Sequence, residues 1–266
     1  MKALKSLLLI GIISCFAIGL SAQTSGMISY TEVTKLEFKA IEGLNLGDMM
    51  PSDMSANKAL YFDQHTSVYR NADDHVNEDI EMESDDGSFQ MVFSTGGSSE
   101  EILYNDLKAR KSLYQTGFMG KEFLIESDLE KATWKITDER IKYLGYVCQK
   151  AVCTKTIPPT PGSDESPIER EVVAWFTPEI PLPIGPDEYG QLPGAVLLVS
   201  VDEGKTEIKA TAVDFDSDIT ERLVVPTKGQ KVSPDEYEQI MAEKMKELEE
   251  NFNNKEGSSS FIIRGE

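Results

Sequence analysis

The chain has 266 residues and a formal net charge of −20 at pH 7, from 46 Asp and Glu against 26 Lys and Arg. A surface this acidic repels phosphate backbones and anionic headgroups, which argues against nucleic acid as a partner and favours cationic, neutral or apolar ones. The length allows one large domain or two small ones with a sizeable core, and no Gly-rich phosphate loop indicates a cofactor.

The first 22 residues have the pattern of a secretory signal peptide. Lys2 and Lys5 precede an uncharged apolar core at residues 7–20, and Ala22 is a small residue suited to a cleavage site. The core is shorter than the ~20 residues that span a bilayer, so we expect export to the periplasm or cell exterior and no transmembrane span. A lipobox-like alternative would make Cys15 the lipidated first residue. Cleavage after Ala22 leaves 24 basic and 46 acidic side chains, a charge of −22.

Many short segments after the signal alternate apolar and polar residues. This period of two is typical of antiparallel strands that have one covered face and one solvated face. The candidate strands, in chain order, are residues 27–38, 60–69, 89–93, 102–105, 112–115, 122–126, 132–136, 143–155, 172–176, 195–199 and 208–212. They predict a mainly β fold with one large curved antiparallel sheet, half-barrel or sandwich-like, with a hairpin turn at 202–205.

Three further segments interrupt the strands. Residues 71–87 are strongly acidic and predict a solvated loop, and the Pro-rich residues 157–168 predict a long loop between two strands. An amphipathic helix is predicted at 234–252, with Ser233 as its N-cap and Glu236 completing a capping box. Residues 261–264 could form a last short strand. We therefore predict a single β-rich domain from 23 to 266 with the helix packed on or beside the sheet.

Two groups of residues suggest metal or disulfide chemistry, but neither pattern is specific. Cys148 and Cys153 are five residues apart, so in one strand their Cα atoms would be about 16 Å apart, too far for a disulfide unless a turn or bulge intervenes. The alternating Asp214, Asp216 and Asp218 could bind Ca²⁺ weakly, or could simply lie on a solvated strand end. No Gly-x-Ser-x-Gly elbow is present, and no third group is identified that would hold a histidine as a catalytic base.

The segment from Trp134 to Val199 is the most distinctive in the chain. It combines Gly-Tyr-Val-Cys-Gln-Lys-Ala at 145–151 with Ala-Trp-Phe-Thr-Pro-Glu-Ile-Pro at 174–181, Gly-Pro at 185–186 and Leu-Pro-Gly at 192–194. In these residues the chain resembles the GLPGLI family of exported Bacteroidetes proteins. It departs from the family signature at Gln191, which replaces the first Gly, and at residues 195–196, where Ala-Val replaces Leu-Ile.

The resemblance implies an exported, β-rich protein without established catalytic residues. Genes of this family often neighbour TonB-dependent receptors, so an envelope protein or such a receptor is a candidate partner. The residues expected to form the structural signature, or a rigid binding loop, are Trp134, Trp175, Pro178, Gly185, Pro186, Leu192, Pro193 and Gly194. From the residues themselves, Pro193-Gly194 suits a type II turn, and Trp175 should pack in the core.

The sequence favours a binding function over catalysis. The leading hypothesis is a non-enzymatic envelope protein that binds an apolar or peptide-like ligand, or a partner protein, through its curved sheet. The alternative is a hydrolase that uses paired carboxylates, since Asp and Glu are abundant. No spacing singles out one carboxylate pair, so the question of an enzyme stays open with no catalytic residue assigned.

Overall fold

The computed structural model describes residues 25–35, 52–72, 79–83, 90–94, 100–129, 132–157, 166–253 and 260–263. The predicted signal peptide with Cys15, the middle of the Pro-rich loop and part of the acidic loop lie outside them. The strands are β1 (Gly26–Lys35), β2 (Asp53–Phe62), β3 (Thr66–Asn71), β4 (Asp79–Glu83), β5 (Gln90–Ser94), β6 (Ile102–Asp106), β7 (Lys111–Phe118), β8 (Lys121–Asp128), β9 (Lys135–Tyr143), β10 (Tyr146–Ile157), β11 (Ile168–Thr177), β12 (Ala195–Val201), β13 (Thr206–Asp214), β14 (Gln230–Val232) and β15 (Ser260–Ile263), with one helix, α1 (Pro234–Asn253), in the described part.

Twelve of these strands form one open sheet, which confirms the predicted fold class. Their order is β14-β8-β7-β6-β3-β2-β1-β13-β12-β11-β10-β9, and β15-β5-β4 form a second, small sheet. Neighbours in the large sheet are antiparallel except β14 and β8, which are parallel, as are β15 and β5. The pairing of β14 joins segments far apart in sequence, and the alternation of side chains contains no signal for it.

Two predicted strands are each divided by a tight turn. The segment predicted at 60–69 contains the end of β2 and the start of β3, because Asp63 Oδ1 accepts hydrogen bonds from the amides of His65 and Thr66, both at 2.7 Å. The segment predicted at 143–155 starts before the β9–β10 turn, where Leu144 and Gly145 have φ of 49° and 87°. An Asp side chain that caps its own turn was the available sequence signal at the first of these.

Other boundaries show where the sequence interpretation was right or wrong. The acidic segment predicted as a loop contains β4 at Asp79–Glu83, which pairs with β5, and β15 occupies the suggested last strand. The predicted turn at 202–205 is a short 3-10 turn at Asp202–Gly204. Helix α1 matches its prediction: Ser233 Oγ accepts from the Glu236 amide at 3.2 Å, and Glu236 Oε2 accepts from the Ser233 amide at 2.7 Å.

Two long-range hydrogen bonds show that the sheet curls strongly. The Tyr143 hydroxyl on β9 donates to the Ala210 carbonyl on β13 at 2.6 Å, although β9 and β13 are four strands apart. Four strand spacings in a flat sheet would be about 19 Å. The Tyr30 hydroxyl on β1 likewise donates to the Val196 carbonyl at 2.6 Å. The curl creates an inner face, and the main hydrophobic core lies on it.

Helix α1 and a loop cover other parts of the sheet. Tyr237 and Ile240 of α1 pack against Phe123 and Val232 at the β8 end, with the rings of Tyr237 and Phe123 5.2 Å apart. On the opposite, outer face, Ile219 and the loop around it pack on β2, β3 and β6. No helix among the described residues is long and apolar enough to cross a membrane.

Both cysteines of the described chain are unreactive by position. Cys148 and Cys153 lie on β10 as buried, free thiols facing the main core, so the disulfide left open by the sequence is not formed. Burial, with a smaller contribution from Glu179, raises the pKa of Cys148 to about 11, and burial also raises the pKa of Cys153. Because the thiolate is the reactive form, neither side chain should react at neutral pH.

We therefore expect the folded protein without residues 1–22 to resist iodoacetamide at pH 7.5, and to take up a label at both cysteines only in denaturant. Intact-mass spectrometry measures the labels. A reducing agent should leave the melting temperature unchanged. A native protein that labels at Cys148, or a melting temperature that falls on reduction, would contradict this arrangement.

Candidate ligand-binding site

The loop between β11 and β12 fills part of the inner face, and we call residues 178–194 the plug. Its apolar side chains Ile180, Leu182, Ile184 and Leu192 are all buried in the main core. The prolines between them are exposed at 178, 181, 183 and 193, so apolar and proline positions alternate inward and outward. The Ala195 and Val196 amides also donate to the Ile180 and Ile184 carbonyls, both at 3.0 Å. The plug is therefore a packed part of the fold.

Two glycines of the plug are required by close backbone approach. A Cβ at Gly194 would overlap the Thr177 carbonyl, and a Cβ at Gly185 would overlap the Tyr189 carbonyl. The predicted type II turn at Pro193-Gly194 is wrong, because the Gly194 amide donates to the Leu192 carbonyl at 2.8 Å and closes a three-residue turn. Glycine is needed there for space next to β11 rather than for a type II conformation.

Polar contacts fix the plug to the strands around it. The Trp134 Nε1 donates to the Gly190 carbonyl at 3.1 Å, and Glu179 Oε1 accepts from the Val147 amide at 2.8 Å. Lys155 on β10 forms an ion pair with Glu188 and lies over the Tyr189 ring. Trp134 thus ties the chain before β9 to the plug. Trp175 is only partly buried, at the margin of the core rather than within it.

Beyond the plug, the inner face over β2, β3, β6 and β7 becomes polar. The strand register places Leu60, Tyr69, Leu103 and Tyr114 side by side in one row. The row toward one strand end has Ser67, Asn105 and Ser112. Lys58 and Glu101 lie toward the other end, near Glu32 of β1. We call the following set the inner polar patch: Glu32, Lys58, Tyr69, Glu101, Asn105, Tyr114 and Asp187.

Hydrogen bonds and one ion pair connect most of the patch. The Tyr114 hydroxyl donates to Glu101 Oε1 at 3.1 Å, and the Tyr69 hydroxyl donates to Glu32 Oε2 over a longer 3.5 Å. Lys58 Nζ lies 3.6 Å from Glu101 Oε2. Burial, together with these carboxylates, raises the pKa of both tyrosines, so they stay protonated and can donate hydrogen bonds.

Asp187 at the tip of the plug faces this patch. The residue keeps an exposed surface, whereas loss of hydration is the largest cause of the shift in its pKa, and both fit a carboxylate inside an open concavity. That loss of hydration, with Glu188 and Glu32, raises the pKa of Asp187 to about 7 from 3.8. Because the folded form holds the proton more tightly, ionisation of Asp187 lowers stability as pH rises between those values.

Asn105 is the unusual residue of the patch. It is 9% exposed, and its Oδ1 is buried without a hydrogen-bond partner. Gln115 on the next strand is a contrasting case, at 3% exposed. Its Nε2 donates to the Glu100 carbonyl at 3.3 Å, and its Oε1 accepts from the Lys228 amide at 3.2 Å. A buried acceptor left without a partner is uncommon in folded proteins, and it indicates either a cost in stability or a functional role.

Two surface cavities lie elsewhere. A cleft of 270 Å³ is lined by Arg140, Val147, Gln149, Pro178 and Glu179. An open groove of 570 Å³ lies between β8, β14 and the start of α1, where Lys111 and Asp128 already form an ion pair at 2.7 Å. The polar groups of the cleft are also partly used, since Gln149 Nε2 donates to the Thr137 carbonyl at 2.7 Å. Neither cavity contains an unpartnered buried polar group comparable to Asn105.

Residues 134–198 match a family model described as a protein of unknown function, Porph_ging. This match covers β9 to β12 and the plug, which is less than half of the chain. It coincides with the segment in which the sequence was most distinctive. No curated protein matches the chain.

Solved structures show similarity to the fold alone. Two structures of PNGF-II, in space groups C2 and P21, each have 16% identity to this chain and a TM-score of 0.51 over 82% of it. The chain spans about a third of the PNGF-II chains, 32% and 33% of their length. LprF from Mycobacterium bovis has 10% identity and a TM-score of 0.28, with 78% of this chain and 91% of that chain covered.

The structure separates the residues singled out from the sequence. Gly185, Pro186, Leu192 and Gly194 are buried within the plug, and only Pro178 of the signature set lines a cavity. The sequence interpretation missed Asn105 and Asp187. Asp187 sits in the distinctive segment, yet its role depends on β1, β2 and β3, which no local pattern connects to it. Asn105 interrupts an apolar alternation on β6, which was the available signal.

The three alternating aspartates belong to a turn. Asp214 accepts hydrogen bonds from the Asp216 amide, at 2.8 Å, and from the Ser217 hydroxyl, while Asp218 accepts from the Thr220 amide at 3.1 Å. These bonds lower the pKa of Asp214 and Asp218. Among the described residues no group of three or more His, Cys, Asp or Glu is arranged to hold a metal ion. The carboxylates act as caps of the turn after β13.

Proposed function

We propose that this chain is a non-enzymatic binding protein of the bacterial cell envelope, and that its ligand occupies the inner polar patch. The ligand is peptide-like or otherwise rich in polar groups. The buried Oδ1 of Asn105 carries this proposal, because a ligand donor would supply the hydrogen bond that the chain leaves unmade.

The distribution of apolar surface supports a polar ligand over an apolar one. The plug already occupies the apolar part of the inner face with Ile180, Leu182, Ile184 and Leu192. Beside it, the inner polar patch presents two tyrosine rings and three carboxylates. Sites of this composition combine flat aromatic surfaces with a few oriented polar groups, which fix a ligand's position.

Membership of the GLPGLI family and export through the segment at 1–22 are parts of the same proposal. The signature-like residues of the plug and the apolar N-terminal segment support them. Export would place the acidic protein where it can contact envelope proteins, including a TonB-dependent receptor. The processing of the N-terminus, after Ala22 or before Cys15, can be read from the mass of the mature protein.

Native mass spectrometry of the protein recovered from its own bacterium tests the proposal. We expect part of the wild-type protein to carry a non-covalent adduct that is lost from the Asn105→Leu variant. Glu171→Gln, which changes an exposed side chain of β11, should retain the adduct. Wild-type protein without an adduct, or an adduct that all three proteins retain, would remove the assignment of the inner polar patch as the binding site.

One observation favours catalysis as a second candidate. The raised pKa of Asp187, beside Glu32 and Glu188, suits a general acid that works near neutral pH in a carboxylate pair. A hydrolase of this kind would cleave chromogenic glycosides or peptide anilides in a turnover assay, and Asp187→Asn would abolish that turnover while Glu171→Gln would not. Turnover with this dependence would replace the binding proposal.

A further inference from the structure

We propose that the inner polar patch binds an alkylammonium or guanidinium group, supplied by a polyamine or by the side chain of a basic peptide, between Glu32 and Asp187. This names the ligand class of the proposed function and rests on it. The step beyond that function is the sign of the ligand's charge and the two carboxylates that receive it.

The pairing of charges around the patch leaves two acids unmatched. Lys58 pairs with Glu101, and Lys155 pairs with Glu188. In the described part of the chain, Asp187 has neither a hydrogen bond nor an ion pair, and Glu32 has only the 3.5 Å bond from Tyr69. A cation placed between these carboxylates would therefore gain charge-assisted hydrogen bonds without breaking an existing ion pair.

The unpartnered groups of the patch are all acceptors. Asn105 Oδ1 adds a buried, independent acceptor to the two carboxylates. Asn105 lies four residues from Glu101 along β6, which is about 13 Å in a strand. The rings of Tyr69 and Tyr114 lie between these ends, and aromatic faces attract ammonium and guanidinium groups. An extended ligand with donors at both ends fits this sequence of groups.

The charge of the whole chain acts in the same direction. With a net charge of −20, the protein attracts cations and repels acidic peptides during encounter. The acidic patch therefore selects by charge as well as by hydrogen bonding. Attraction at long range should weaken with salt, whereas contacts at Asp187 inside the concavity should be screened less.

Binding of a cation should depend on pH through Asp187. The charged and titratable groups that face Asp187 are Glu32 of β1, Lys58 of β2, Tyr69 of β3, Tyr114 of β7, Lys155 of β10, and Glu188 and Tyr189 of the plug. A cation prefers the ionised carboxylate, and Asp187 has a pKa of about 7 in the free protein. Affinity should therefore rise as pH increases from 6 to 8 in the wild type, and should vary less in Asp187→Asn.

Isothermal titration calorimetry of the full exported chain tests this inference. The ligands are spermidine, a blocked Arg-Gly-Arg peptide, and a blocked Glu-Gly-Glu peptide of opposite charge. We expect Asp187→Asn to weaken binding of the cation about tenfold, the effect of losing one charge-assisted hydrogen bond. Asn suits the φ of 49° at this position, so the backbone should be preserved.

Glu171→Gln is the matched control, since it removes the same charge from an exposed position on β11. Binding of spermidine alone identifies a polyamine site, and binding of the Arg-Gly-Arg peptide alone identifies a peptide site. The inference is overturned if neither cation binds more tightly than Glu-Gly-Glu, or if both variants weaken binding equally. An adduct of neutral or acidic chemistry lost in Asn105→Leu would overturn this ligand class alone and leave the proposed binding function standing.

Discussion

Replacing Gly194 with alanine should lower the free energy of unfolding by about 3 kcal/mol, the upper part of the range for overpacked sites. The added Cβ would overlap the Thr177 carbonyl oxygen and the start of Pro178, which are backbone atoms that cannot rotate away. Either β11 or the plug must shift, and the buried Leu192 beside the turn would lose its packing. For a domain of this size we expect a melting temperature about 6–12 °C lower, measured by circular dichroism.

Gly120→Ala is the control for this substitution. Gly120 has a φ of 74° but no atom within 4 Å of a built Cβ, so alanine there meets only the unfavourable backbone conformation. That should cost about 1–2 kcal/mol. If Gly194→Ala were no more destabilising than Gly120→Ala, the plug would not be packed rigidly against β11.

Substituting leucine for two neighbouring buried amides should change stability in opposite directions. Asn105→Leu removes the unpartnered Oδ1 and should raise the free energy of unfolding by about 1 kcal/mol. Gln115→Leu removes hydrogen bonds to the Glu100 carbonyl and the Lys228 amide, and should lower it by about 2 kcal/mol. Urea unfolding followed by fluorescence measures both changes.

The opposite signs matter because they connect stability to function. An Asn105→Leu protein that is more stable and has lost its ligand would show that the residue is kept for binding at a cost to the fold. Equal destabilisation by the two substitutions would mean that Asn105 is satisfied in solution like Gln115. In that case the buried acceptor would no longer support a site on the inner face.

The strands and the helix were largely predictable because their signals are local. The alternation at 208–212 placed β13, and the capping box at Ser233 placed the start of α1. The errors occurred where one side chain ends a strand. Asp63 splits a predicted strand by accepting two amide protons, and Leu144-Gly145 does so with positive φ values. These effects involve only two or three residues, so a window of alternating residues does not detect them.

The sequence by itself determined that this chain is mainly β with one capped helix, and that residues 134–199 hold a distinctive Pro- and Gly-rich segment. Tertiary structure decided what that segment does: Leu192 and its apolar neighbours fill the inner face, while Asp187 projects toward β1 and β3. The candidate site draws Glu32, Asn105 and Asp187 from distant parts of the chain. Their proximity arises from strand order and curl, which depend on long-range pairing and on packing of the whole core rather than on local side-chain pattern.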